Sequence, residues 1–288
     1  MKEFICFDIG GTAVKYGRLT EDGGILHQSR VPNPVRSGGT EALLQLLREI
    51  VRSEREGAAG IAVSTAGVVD YKKGVIVFAG ETCPGFTGTP LAEILSKASG
   101  LPVRVENDVN CAALGEYWRG AGCGAEPFVM LTVGTGVGGA VITEGKLLHG
   151  ASFAAGEVGY MYQPGGMLED LSSVTALLRY GREEGLSEAQ SADGETVINL
   201  AKAGNVSARR AVQRMLYHLA VGIAQIACLI NPERVVIGGG ITAASDYLWP
   251  LLLEELAKQL PPHLTDLAVV PARLGNSAGM VGALASFL

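Results

Sequence analysis

The chain has 288 residues, 48% of them hydrophobic, and a formal net charge of -6. That length can enclose a large core in one big domain or two ordinary ones. The acidic balance, with no cluster of Lys and Arg, argues against a nucleic-acid partner, since such binding rests on neutralising many phosphates. The cysteines Cys6, Cys83, Cys111, Cys123 and Cys228 are scattered and nowhere spaced C-x-x-C. This pattern points to a reducing cytoplasm, without a disulfide framework or a thiolate metal site. The apolar stretch 4–7 is shorter than a signal-peptide core and the run 219–230 is shorter than a bilayer span, so no membrane partner is expected.

In chain order, residues 3–19 alternate β-type side chains around Asp8-Ile-Gly-Gly-Thr12, and a third run, 25–31, follows Gly23-Gly24. This predicts a strand-turn-strand meander. Residues 40–55 carry apolar positions at helical spacing behind Thr40, read as the cap. A buried strand is expected at 59–64, a helix opened by proline at 90–99, a strand at 103–106 and a helix at 109–118. At Phe128 the chain repeats its opening: residues 128–142 again read as strand, Gly/Thr turn, strand. A long apolar helix at 208–230, a strand at 234–237, the cluster Gly238-Gly-Gly240 and a helix at 241–260 complete the pattern. Strands alternating with helices give an α/β fold. The repeated opening predicts two domains with mixed sheets and a cleft between them, 1–119 and 120–278, joined through the small residues 120–126.

Asp8-x-Gly10-Gly11-Thr12 sets a carboxylate at a strand end before glycines that can present bare backbone N–H groups. Phosphate and Mg2+ suit that arrangement, with Asp8 holding the metal through its water shell; a tight hairpin with a capping aspartate fits the same residues. Thr132-Val-Gly134-Thr135-Gly136 repeats the turn without the acid, and two donor-rich turns together could grip a triphosphate. Gly238, Gly239 and Gly240, between strand and helix, leave room for a flat base, although such turns are common in α/β proteins. Glu106-Asn107-Asp108 lies after a strand and before a helix. There an aspartate could accept a hydroxyl proton during phosphoryl transfer, or Asn107 or Asp108 could simply cap the helix. Ala155-Gly156-Glu157-Val-Gly-Tyr160 offers an acid and a phenol among small residues, as a polar-ligand site or as a solvated loop. His27, His149, His218 and His263 are isolated from one another; none is assigned to a metal, and His218 is expected to pack within the long helix.

Together these motifs resemble the ROK family, named for repressors, open reading frames and kinases, whose enzymes are bacterial sugar kinases of the actin/hexokinase superfamily. The resemblance runs through Asp8-Ile-Gly-Gly-Thr12 with Lys15, Ser64-Thr-Ala-Gly67-Val-Val-Asp70, Pro84-Gly-Phe86, Glu106-Asn-Asp108, the second glycine turn, Ala155-Gly-Glu157, Asn231-Pro-Glu to Gly240, and Gly275-Asn-x-Ala-Gly279. It implies two ribonuclease H-like domains, with a last helix at 279–288 returning to the first, and a homodimer. It further implies Asp108 as general base, Asn107 and Glu157 bonded to sugar hydroxyls, and Gly67 close to the sugar. By the same resemblance, Gly10 to Thr12, Lys15 and Thr132 to Gly136 hold phosphates, while Gly238 to Gly240 border the nucleoside.

Two departures bear on the substrate. Tyr160 stands where many members have a histidine, and no cysteine lies between Cys123 and Cys228, so no structural zinc is expected; Tyr160 and the loop 163–171 should reshape one end of the sugar pocket. The familiar Asn before Pro-Gly-Trp is missing, with Thr82-Cys83 preceding Pro84-Gly-Phe86. The expected function is transfer of the ATP γ-phosphoryl group to the C6 hydroxyl of a hexose or derivative such as glucose, N-acetylmannosamine or a β-glucoside. A sugar-responsive repressor would need a helix-turn-helix ahead of the first strand, for which residues 1–3 leave no room. A pseudokinase would not be expected to keep both Asp8 and Asp108.

Overall fold

The computed structural model describes residues 1–80 and 83–288, so Thr82 lies outside the described residues. Its contacts divide the chain into two units: residues 1–123, 149–155 and 274–288, and residues 124–148 and 156–273. The boundary expected at 119/120 thus falls at 123/124, and a short excursion at 149–155 belongs to the first unit.

The first unit runs β1 (Glu3–Ile9), β2 (Ala13–Thr20), β3 (Ile25–Pro32), α1 (Val35–Glu54), β4 (Ala58–Thr65), β5 (Val68–Asp70), β6 (Val75–Phe78), α2 (Leu91–Ser99), β7 (Val103–Asn107) and α3 (Asp108–Arg119), closing with a C-terminal helix, Ala278–Ala285. Its sheet has the order β3-β2-β1-β4-β7. The first three strands pair antiparallel, while β4 and β7 join in parallel. Alternation along β1 sends Ile5, Phe7 and Ile9 to a core shared with residues of α1 and α2, and Phe4 and Cys6 to one shared with the C-terminal helix. Asp8 belongs to the second set by parity.

The start of α1 differs from expectation. Asn33 Oδ1 accepts from the Val35 N–H at 2.9 Å and begins the helix early. The path then breaks at Gly39, where φ is 72°, and Thr40, instead of capping, donates its hydroxyl to the Pro84 carbonyl at 3.2 Å.

The second unit contains β8 (Phe128–Val133), β9 (Val137–Thr143), β10 (Lys146–Leu147), β11 (Tyr162–Gln163), β12 (Gly166–Met167), α4 (Leu168–Ser172), α5 (Val174–Glu183), α6 (Gly194–Lys202), α7 (Val206–Ile230), β13 (Arg234–Gly238), α8 (Ser245–Gln259) and β14 (Ala268–Pro271). Its sheet, β10-β9-β8-β13-β14, repeats the plan of the first: an antiparallel start with parallel strands added on the far side. The stretch 163–171, expected as a loop, is the β11–β12 hairpin and the start of α4. The helix expected from residue 241 begins as a 3-10 turn, Gly240–Ala244, and becomes α-helical at Ser245.

Helix α7 has 25 residues, longer than the apolar run 219–230, and by length and composition it could cross a membrane. It packs against α4, α5, α6 and α8, and places Met215, Leu216, Leu219 and Ile223 in the core of the second unit. His218 is partly buried on it, with Nδ1 3.1 Å from Gln163 Oε1, while Gln163 Nε2 donates to the His218 carbonyl at 3.0 Å. This amide, 4% exposed, ties the β11–β12 hairpin to α7.

In the first unit the C-terminal helix lies so close to α3 that a Cβ on Gly282 would fall 1.6 Å from the Cys111 carbonyl oxygen. Gly282→Ala should therefore destabilise the protein by about 1–3 kcal/mol, the cost of overpacking. Chemical denaturation with an unchanged midpoint would contradict this packing.

Candidate active site

The first unit gathers its polar groups at the carboxyl ends of β1, β4 and β7. Register sets the gathering: Asp8 pairs with Ser64 across β1–β4, and Ser64 pairs with Glu106 across β4–β7. Ser64, fully buried, donates to Asp8 Oδ1 at 3.0 Å, and Lys15 Nζ donates to Oδ2 at 3.2 Å. Lys15 also reaches the Asn276 carbonyl at 3.4 Å. The turn from Gly10 through Gly11 and Thr12 is closed by the Gly10 N–H on the Ala13 carbonyl at 3.0 Å. Asn33, which the sequence reading passed over, pins it by donating Nδ2 to the Gly10 carbonyl at 2.8 Å. Asp8, Gly10, Thr12, Lys15, Arg30 and Asn276 line a cavity of 450 Å3 with this turn at its edge. The wall is rich in donors and holds one carboxylate, a composition suited to an anion accompanied by a cation.

At the next corner Asn107 caps α3: its Oδ1 accepts from the N–H groups of Val109 at 2.9 Å and Asn110 at 3.0 Å. Its Nδ2 bridges the Gly67 carbonyl at 2.9 Å and Asp108 Oδ1 at 3.0 Å. Gly67 has φ 102°, and a Cβ there would meet the Phe78 carbonyl oxygen at 2.5 Å, so a larger residue would displace this corner. Asp108 Oδ1 accepts a further bond from Val109 N–H at 2.9 Å, whereas Oδ2 takes none from the described residues. Burial and the nearby Asp8 charge raise the Asp108 carboxyl to about 6, against the lowering effect of those bonds.

In the second unit Thr132 stands near the end of β8, and the turn to β9 carries Gly134, Thr135 and Gly136. The start of α5 holds it: Val174 N–H donates to the Gly134 carbonyl at 2.8 Å, and the Thr175 hydroxyl donates to the Thr135 carbonyl at 2.7 Å. Glu169, absent from the sequence reading, stands beside this turn, where a Cβ on Gly136 would meet its Oε2 at 2.7 Å. Partial burial and the Glu169 charge push the Glu157 carboxyl above its usual range. Glu157 still keeps much of its surface in solvent, and Tyr160, one turn along a 3-10 segment, Val158–Tyr160, is 57% exposed.

Gly238 ends β13 in the core. Gly239 takes φ 90° against the Val133 carbonyl, and Gly240 opens onto a cavity of 320 Å3. That cavity has an apolar floor from Leu177, Ile198, Met215 and Ile241, with Asn199 and Lys202 at polar positions. Such a lining suits a flat heterocycle with a few directed polar contacts. Among the described residues no three His, Cys, Asp or Glu side chains form a metal-binding group.

A β-glucoside kinase of Listeria monocytogenes is 33% identical over 98% of this chain and 96% of its own length. A glucokinase of Halalkalibacterium halodurans is 32% identical over 97% of this chain and 93% of its own. Among solved structures, a ROK family glucokinase from Streptomyces griseus in complex with glucose and AMPPNP superposes with a TM-score of 0.83 at 29% identity, covering 98% of each chain. The ROK family model matches residues 4–288, and with relatives this similar over nearly the whole length, the chain belongs to the ROK family.

Proposed function

We propose that this chain is an ATP-dependent sugar kinase that transfers the γ-phosphoryl group to the C6 hydroxyl of a hexose or hexose derivative. The observation that carries the reading is Asp108, raised to about 6, with both of its hydrogen bonds on Oδ1 and Oδ2 left for a substrate hydroxyl. A carboxylate of that affinity is ionised at neutral pH and is a stronger base than an ordinary aspartate. Asn107 holds it in place and links it to Gly67, the backbone assigned to the sugar.

The turns at Gly10, Gly11 and Thr12 and at Thr132 to Gly136 are assigned to phosphates, with Lys15 adding positive charge. The cavity beside Gly238, Gly239 and Gly240 is assigned to the nucleoside. One carboxylate beside a phosphate-binding turn fits Mg2+, which keeps most of its waters and takes its remaining ligands from phosphate. Asp8 would hold it, and the ion would offset phosphate charge. Glu157 and Tyr160 are assigned to the sugar. Tyr160, in place of the histidine expected there, favours N-acetylmannosamine or a β-glucoside over plain glucose.

The test is ADP release across a panel of glucose, N-acetylmannosamine, N-acetylglucosamine, mannose, fructose and cellobiose, with a sugar-free control. One sugar should dominate, and Asp108→Asn should cut its kcat by about 10²- to 10⁴-fold; turnover that survives this substitution would remove Asp108 as base. Ala243→Trp, which would fill the cavity beside Gly240, should raise the KM for ATP about tenfold or more and leave that for sugar unchanged. If the sugar KM moves instead, the nucleoside belongs elsewhere.

Proton uptake by Asp108 should give kcat/KM an acid limb centred near pH 6, falling tenfold per unit below it. The same shift has a stability consequence. The folded-state value lies above the ordinary 3.8, so the stability tied to the protonated acid is fully present below pH 3.8 and lost as pH rises through about 6. At pH 8 the ionised group therefore opposes folding. Because Asp108 keeps some contact with solvent, Asp108→Asn should recover about 1–2 kcal/mol there even as it lowers turnover. A melting temperature that drops instead would contradict the assigned cause.

A further inference from the structure

The first unit also buries a carboxylate that this chemistry does not use. Glu106 is 3% exposed. Its Oε1 accepts from the Asn107 N–H at 2.8 Å and from Asn110 Nδ2 at 2.9 Å, and its Oε2 lies 2.8 Å from His149 Nε2. A carboxylate so far removed from water is costly unless its oxygens are bonded. Among the described residues His149 alone serves Oε2.

His149 arrives by a brief departure of the chain from the second unit. Leu148 still donates its N–H to the Val141 carbonyl in that unit's sheet at 2.8 Å; residues 149–155 then pack with the first unit, and the second resumes at Gly156. The excursion is held firmly. Ala155 N–H donates to the His149 carbonyl at 3.2 Å, closing the loop. The imidazole stacks on Tyr71 with 3.7 Å between centroids and 16° between planes, and Phe153 meets the edge of Tyr71 at 6.0 Å. Phe153 has φ 64°, a conformation that a residue with a side chain keeps only where its surroundings impose it.

We propose that His149 is a positioning residue for phosphoryl transfer: by holding Glu106 Oε2, it fixes the β7–α3 corner on which Asn107 and Asp108 stand. This rests on the reading of Asp108 as the base. With Oε2 held, Oε1 is directed at the Asn107 N–H and the Asn110 amide, which keeps Asn107 over the start of α3 and in reach of Asp108 Oδ1. Without His149 the carboxylate turns to recover a partner for Oε2, and the Asn107 N–H loses its acceptor. The base then samples more orientations than the one that meets the substrate hydroxyl, a loss that geometric control of catalysis makes large.

The experiment combines hydrogen exchange at amides 107–110 with steady-state kinetics on the full chain, for His149→Ala, His149→Gln and Asp108→Asn. His149→Ala should speed exchange at the Asn107 amide about tenfold and lower kcat by about tenfold, with the KM for ATP unchanged. His149→Gln keeps a donor for Oε2 and should restore most of both. Unchanged exchange in His149→Ala would overturn the proposal, as would faster exchange with kcat kept within about twofold, or a glutamine no better than alanine. If Asp108→Asn keeps its turnover, the base assignment falls, while exchange at residue 107 still decides whether His149 braces the corner.

Discussion

The cross-strand row Lys15–Asp8–Ser64–Glu106 is the constraint on which the first unit's chemistry depends. It runs through β2, β1, β4 and β7 by direct pairing, so all four side chains stand on one face of the sheet. The opposite face of the same strands carries Phe7, Val14, Val63 and Val105, which fill the core under α1 and α2. Apolar burial on one face thus sets the register, and register places the charges on the other. A slip by one residue in β7 would put Val105 where Glu106 stands, breaking the core and the corner together.

Two carboxylates near one another repel, and the fold treats them differently. Asp8 receives a serine hydroxyl and a lysine ammonium, one on each oxygen. Asp108 is desolvated by burial and feels the charge of Asp8, so its proton affinity rises despite the two bonds accepted by Oδ1, while Asp8 keeps its cation. Environment rather than residue type separates the roles open to them, one a holder of positive charge and the other an acceptor of a proton.

Much of this was legible in the sequence because it is written locally. The strand-turn-strand openings at residues 3 and 128 show in alternation and glycine spacing, and Asn107 sits where a cap is expected. What escaped notice was written across long separations or in weak signals. Helices α5 and α6 follow the caps Ser173 and Asp193, which accept from Ala176 N–H and Thr196 N–H, but each helix is only about three turns long. Asn33 reads as a loop residue until its amide is seen on Gly10. His149 and Glu106 are 43 residues apart, and no periodicity links them. Thr40 misled because its hydroxyl is engaged by the Pro84 carbonyl, and because a helical segment already runs from Val35 to the break at Gly39.

The two units share a topology but place different charges beside their turns. The turn in the first has an acid and a lysine built into its strands, while the turn in the second is neutral and gains its acid, Glu169, from the segment leading into α5. Duplicated frames therefore did not impose duplicated chemistry: the sheet fixes where a turn can present its backbone, and elements added later in the chain decide what charge accompanies it. The His149 excursion follows the same logic in the other direction. A segment flanked on both sides by the second unit supplies the donor that a buried acid of the first unit lacks, so the corner carrying Asp108 depends on residues that its own strand and helix do not contain.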